Sequence, residues 1–173
     1  MKVIFRDLKS DVVAAVQAAF ADVSQFDIAC ADIFSGGPAD AIVSPANSYG
    51  TMDGGIDLEY LRHFGFWLEA RLKGAIAKLP GGRLPVGEAL VVPNENAEIP
   101  YMISAPTMRY PGPVPHTQNA YLAFSAVLQI AKRHGYDCIL CPGLATLTGR
   151  MAPTESARQM RRAWDEAENE SAR

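Results

Sequence analysis

The sequence has few cysteines, and the three it has, Cys30, Cys138 and Cys141, are an odd number. That count argues against a disulfide framework. Cys138 and Cys141 form a CxxC pair, but no second CxxC and no HxxxH completes a zinc site. The pair sits in CILCPG, which reads as a strand, and strand residues three apart point to opposite faces. The expectation is two plain thiols and no metal. No apolar run reaches the roughly 20 residues that span a bilayer. The opening MKVIFRDLKSDVV lacks a signal-peptide core with a small-residue cleavage site, so the expected compartment is the cytosol. The net charge of −3 provides no wide basic surface, and neither duplex nucleic acid nor membrane is an expected partner. The densest basic patch is Arg158, Arg161 and Arg162. Internal repeats and low-complexity tracts are absent. So are GxxxxGK[ST], GxGxxG after the first strand and a GxSxG elbow, which leaves P-loop, dinucleotide-oxidoreductase and serine-hydrolase readings unsupported.

What remains is an ordinary globular balance, 49% apolar and 20% charged over 173 residues, which fits one domain. Strands are expected at KVIFR (2–6), FDIACAD (26–32), ADAIVSPAN (39–47), EALVVP (88–93), YMISAPT (101–107) and CILCPG. Val12, Val13, Val16, Ala19 and Phe20 share one helical face. A helical region runs from about Ile56 to Leu79, broken at Gly65. A long helix spans His116 to His134, with Leu122, Val127, Leu128 and Ile130 toward the core. RYPGPVP (109–115) holds three prolines and cannot be regular structure. A last helix starts at Pro153, since proline suits the first helical turn. The charged DEAENESAR is expected to fray, placing the domain at 1–165 and a charged tail at 166–173.

Strands alternating with helices imply a mostly parallel sheet covered on both faces. Ligands then sit outside the carboxyl ends of the strands. Two loops qualify, one after DAIVSPAN and one after CILCPG. Each connects a strand to a helix and carries glycine: Gly54 and Gly55 in the first, Gly143 and Gly149 in the second. Backbone N–H groups at a helix start attract anions, and glycine lets a phosphate come close. The alternative is that these glycines only make tight turns.

The stretch ADIFSGGPADAIVSPANSYGTMDGGID (31–57) resembles the macrodomain family. That family carries a Gly-Asp-Ile, a Val-Asp-Ala-Ile-Val-Asn-(Ala/Pro)-Ala-Asn strand and a Gly-Gly-Gly-(Val/Ile)-Asp turn. LPVGEALVVP, YMISAPT and CPGLATLTGRMAPTESARQM resemble its later segments in collinear order, so the resemblance covers about residues 25–164. It implies a three-layer α/β/α fold with a mixed, mostly parallel central sheet, and ADP-ribose or an ADP-ribosylated protein as partner. It implies no cofactor. Carried onto matched positions, it gives Asp32, beside Ile33, the adenine amino group. It gives Asn47 the distal ribose, and Gly54, Gly55 and Ile56 the diphosphate and distal ribose. Gly143, Leu144, Ala145, Thr146, Leu147, Thr148 and Gly149 form the second phosphate loop. Asp57, with Asn47, is the catalytic candidate, activating water against the anomeric carbon of an ADP-ribosyl ester. A helix N-terminus is expected to keep Asp57 ionised.

The chain departs from the family at several positions. Ser44 stands where the family usually has its first asparagine. Met52-Asp53 precede two glycines, not three. Ala145 is a local variation, and Leu147 falls where many members have glycine. Gly149 falls where many have an aromatic residue, a face that Tyr49 is the candidate to supply. His63 does not align with the histidine of the hydrolase helix and reads as a surface or core-edge residue. These changes mark an outlying branch. They leave open a non-catalytic reader of ADP-ribose or of another NAD-derived signal, and a structural domain that has lost its ligand.

Overall fold

A computed structural model describes residues 1–172. β1 (Lys2–Asp7), β2 (Phe26–Cys30), β3 (Ala41–Ser44), β4 (Leu90–Pro93), β5 (Tyr101–Ser104) and β6 (Cys138–Cys141) form one sheet in the order β2-β1-β6-β3-β5-β4. Every neighbouring pair is parallel except β4 with β5. This is the mixed, mostly parallel sheet expected from the sequence.

The period of two along each strand sorts side chains to two cores. Val3, Phe5, Val43, Ile103 and Cys141 pack under α1 (Ser10–Ala19), α4 (Asn119–His134) and α5 (Pro153–Ser171). Ile4, Ile42, Met102 and Leu140 pack under α2 (Gly55–Phe64) and α3 (Trp67–Ile76). The helical region breaks at Gly65, as the sequence predicts. Cys138 packs against the second core and Cys141 lies in the first, so the two thiols face opposite sides of the sheet. Among the described residues no helix is long and apolar enough to cross a membrane.

One expectation needs correction. Leu122 is 36% exposed. The buried stripe of α4 runs through Ala120, Ala123, Phe124, Val127 and Ala131, centred about 160° round the helix from Leu122. α5 itself continues through this charged segment to Ser171. Glu166 accepts from the Tyr121 hydroxyl at 2.6 Å, Ala167 packs on the first core, and Lys132 donates to Ser171 at 3.0 Å. A charged segment stays helical when one of its faces has something to touch.

Candidate functional site

Parallel strands β1, β3, β5 and β6 end on one edge of the sheet, and their loops surround a cleft of about 440 Å³. That size lies within the range of small-molecule sites. Asp32, Ile33, Asn47, Gly54, Gly55, Ile56, Asp57, Gly143, Ala145, Thr146, Leu147, Thr148 and Gly149 all line it. Of the expected ligand-binding residues only Leu144 does not; its side chain is fully buried in the first core.

The loop after β6 is shaped by backbone. Gly143 N–H donates to Asp7 Oδ2 (3.1 Å), Met151 N–H to Ala145 carbonyl (2.9 Å), and Val114 N–H to Gly149 carbonyl (2.7 Å). Ala145 is left-handed, with φ 62°, a sparsely populated conformation for alanine that surrounding contacts must hold. Among the described residues the N–H groups of 144 to 149 have no acceptor. Successive unpaired N–H groups around a left-handed residue form a concave anion receptor. Gly149 closes this loop. A Cβ there would lie 2.5 Å from the Ala145 carbonyl oxygen, so the position where many relatives have an aromatic residue is sterically reserved here.

The loop after β3 is shaped by side chains. Asn47 Nδ2 donates to the Thr51 carbonyl at 2.8 Å, and its Oδ1 accepts from the N–H of Tyr49 and Thr51. Glu69, from α3, accepts from Met52 N–H at 2.6 Å. These contacts aim the N-terminus of α2 into the cleft, where the N–H groups of residues 53 to 57 have no acceptor among the described residues. Gly55 has φ 56°, which glycine adopts readily. A Cβ on it would meet Leu147 Cδ2 at 3.3 Å, so the two loops approach each other at this point.

Asp57 lies on the cleft floor, 7% exposed. Ser44, fully buried at the end of β3, donates to its Oδ1 at 2.6 Å. The helix N-terminus does not hold the carboxyl in the usual carboxylate range. Burial pushes the Asp57 carboxyl up to about 7; the Ser44 hydrogen bond opposes the shift and the negative charge of Glu69 adds to it. Desolvation of a carboxylate outweighs a helix end when no cation is close.

At the far end of the cleft Asp32 Oδ1 accepts from Phe34 N–H at 2.8 Å and caps a short 3₁₀ turn. Tyr49 does not line the cleft; it stacks on Tyr110 with centroids 5.1 Å apart. His63 stacks on Phe34 at 3.6 Å. Sequence reasoning missed Asp7, which ties the loop after β6 to β1, and treated Ser44 only as a departure. Both are polar residues at the carboxyl end of a core strand, and that placement is a signal in itself. Among the described residues no three His, Cys, Asp or Glu side chains are grouped as metal ligands.

A single sheet between two helical layers, with a cleft of unpaired N–H groups at its carboxyl edge, defines the class, and comparison with known proteins defines the family. The macro domain family model matches residues 43–160. An uncharacterized protein of Aquifex aeolicus is 32% identical over 122 residues, 70% of either chain. One of Aeropyrum pernix is 33% identical over 121 residues, 70% of this chain and 61% of its own length. This chain therefore belongs to the macro domain family, and its match spans less than two thirds of the Aeropyrum relative. Among solved structures, the macrodomain of Mycobacterium tuberculosis DarG superposes with a TM-score of 0.64 at 17% identity, covering 75% of this chain and 83% of that one. The Oceanobacillus iheyensis macrodomain with ADP gives 0.65 at 18%, covering 74% and 68%. The Trypanosoma brucei macrodomain in complex with ADP-ribose gives 0.61 at 17%, covering 95% and 58%. At these identities the likeness establishes the fold.

Proposed function

We propose that the cleft binds ADP-ribose and hydrolyses a bond at its distal ribose, such as the ester joining it to an acidic side chain of a modified protein. The observation that carries this reading is the buried carboxyl of Asp57 on the cleft floor, between two loops with unpaired N–H groups. Those groups suit a diphosphate, which needs many short donors more than a single cation. Arg6 lines the cleft but is engaged with Asp27 at 3.1 Å, so the backbone is left with most of that work. Asp32 keeps a second carboxylate oxygen free among the described residues, which suits an adenine amino group and not a guanine carbonyl.

In the reaction water forms a bond to the anomeric carbon while the bond from that carbon to the leaving oxygen breaks. Asp57 takes the proton of the attacking water, and a carboxyl poised near the working pH is suited to that transfer. The leaving carboxylate departs with the bonding electrons, and ADP-ribose is released.

A non-catalytic reader is the second reading. It is favoured by Asn47, whose amide oxygen and nitrogen are both occupied within its own loop. Two measurements test the proposal. Calorimetric titration should show ADP-ribose binding, with AMP and the guanine analogue much weaker. Equal affinity for the guanine analogue would remove the role of Asp32. Label should be released from a Glu/Asp-linked mono-ADP-ribosylated protein; tight ADP-ribose binding with no release would establish the reader.

A further inference from the structure

Ser104 is the Cα partner of Ser44 in the register of β3 and β5. Two residues earlier on each strand, Ile42 and Met102 pack into the second core. Alternation therefore puts Ser44 and Ser104 side by side on the face that carries Asp57. Both are fully buried. The Ser44 hydroxyl donates to Asp57, whereas the Ser104 hydroxyl has no partner among the described residues. A buried polar group without a partner is uncommon and calls for a reason.

The groups packed against Asp57 supply one. Tyr60, one turn along α2, donates to the Val43 carbonyl and is committed there. Glu69, on α3, is negative, accepts from Met52 N–H and pairs with Lys73 at 3.1 Å. No cation is among the groups that shift Asp57. A hydroxyl has one donor and two acceptor positions. When Asp57 is charged, Ser44 donates to it. When Asp57 carries a proton, that proton can be given to the Ser44 oxygen only if the Ser44 proton turns to another acceptor. Ser104, its register partner on β5, carries an unpartnered hydroxyl; the two hydroxyls are not bonded to each other while Ser44 serves Asp57, and rotation of the serine side chains would join them.

We propose that Ser44 and Ser104 form a reversible hydroxyl pair beneath Asp57, Ser44 supporting its charged form and Ser104 its neutral form, so that the carboxyl can take up a proton without leaving the Ser44 hydroxyl orphaned. Ser104 is thus a positioning residue for the proposed base. This inference rests on Asp57 as the site residue of the proposed hydrolysis.

The experiment is titration of the Asp57 side-chain carboxyl by ¹³C NMR in the free protein, its resonance assigned by loss in Asp57→Asn. Ser44→Ala should move the midpoint up by about one pH unit, as expected for loss of a donor to the charged form. Ser104→Ala should move it down. Ser44→Thr and Ser104→Thr keep the hydroxyls and should leave it near the wild-type value. An unfolded variant would titrate as an ordinary carboxyl, and the threonine variants then carry the test. Shifts of the two alanine variants in the same direction, no shift in either, or threonine variants that behave like alanine would overturn the pair. The readout needs no turnover. Opposite shifts in a protein that releases no label would sustain the pair and defeat the hydrolase.

Discussion

The loops after β3 and β6 lie against the same cleft and are fixed by different means. Side chains hold the first: Asn47 bridges Tyr49 and Thr51, Glu69 holds Met52, and Ser44 holds Asp57. The second is closed largely by its own backbone, with a left-handed Ala145 and a glycine at 149 that admits no Cβ. The first therefore offers a carboxyl as well as N–H groups, and the second offers little beyond N–H groups. In the proposed hydrolysis the difference separates chemistry from anion holding, and each substitution below is chosen to break that division or sharpen it.

The largest effect is expected at Asp57. Asp57→Ala should lower label release by roughly 10²–10⁴, the usual worth of general-base assistance. ADP-ribose affinity should change little, because the carboxyl acts chiefly as the bond breaks. Parallel release and titration assays on wild type and variant check it. Full release by the variant would leave hydrolysis standing without Asp57.

Next come the glycines, which separate the loops on steric grounds. Gly149→Ala places a methyl group against the Ala145 backbone. It should cost about 1–3 kcal/mol of stability through overpacking and weaken ADP-ribose by reshaping the receptor. Gly54→Ala meets nothing within 4 Å and needs no positive φ. Its stability should stay within about 0.5 kcal/mol, so any loss of affinity reports the bound diphosphate. Thermal melts and calorimetry on both variants distinguish a glycine required by the fold from one required by the ligand.

The raised carboxyl also predicts a pH dependence. Between the unfolded value near 4 and about 7, the folded state binds more protons at Asp57 than the unfolded state does. Stability from this group is therefore present below about pH 4, declines as pH rises and is fully lost above about 7. Asp57→Asn removes that slope. Relative to wild type, its melting temperature should gain more at pH 8 than at pH 5. An equal gain at both would mean that Asp57 is an ordinary carboxylate.

Much of this was legible in the chain. Element order and the break at Gly65 follow from periodicity and punctuation, and Asp57 from the turn motif. What was hidden depends on partners distant in sequence. Asp7 reaches Gly143 across 136 positions and Glu69 reaches Met52 from another helix; neither spacing carries a local signature. The upward shift of Asp57 was missed because a helix N-terminus is visible in sequence and burial under two loops is not. Leu122 was misplaced because a long apolar helix offers more than one stripe.

The smallest effect is expected at Leu147, where the two loops meet. Its side chain is 54% exposed, yet its Cδ2 leans toward Gly55 across the cleft. A diphosphate held by both sets of N–H groups would pass close to this contact, so the leucine has to swing aside for it. Leu147→Gly removes the side chain and leaves the N–H in place. ADP-ribose affinity should be retained or strengthened by up to roughly tenfold, about 1.4 kcal/mol, with the gain mainly in the association rate. The added freedom of the unfolded chain should cost roughly 0.5–1 kcal/mol of stability. Stopped-flow binding beside a thermal melt separates the two effects. A large affinity loss in a folded variant would show Leu147 packing on the ligand as an apolar cover, and the loop after β6 would then contribute a side chain as the loop after β3 does.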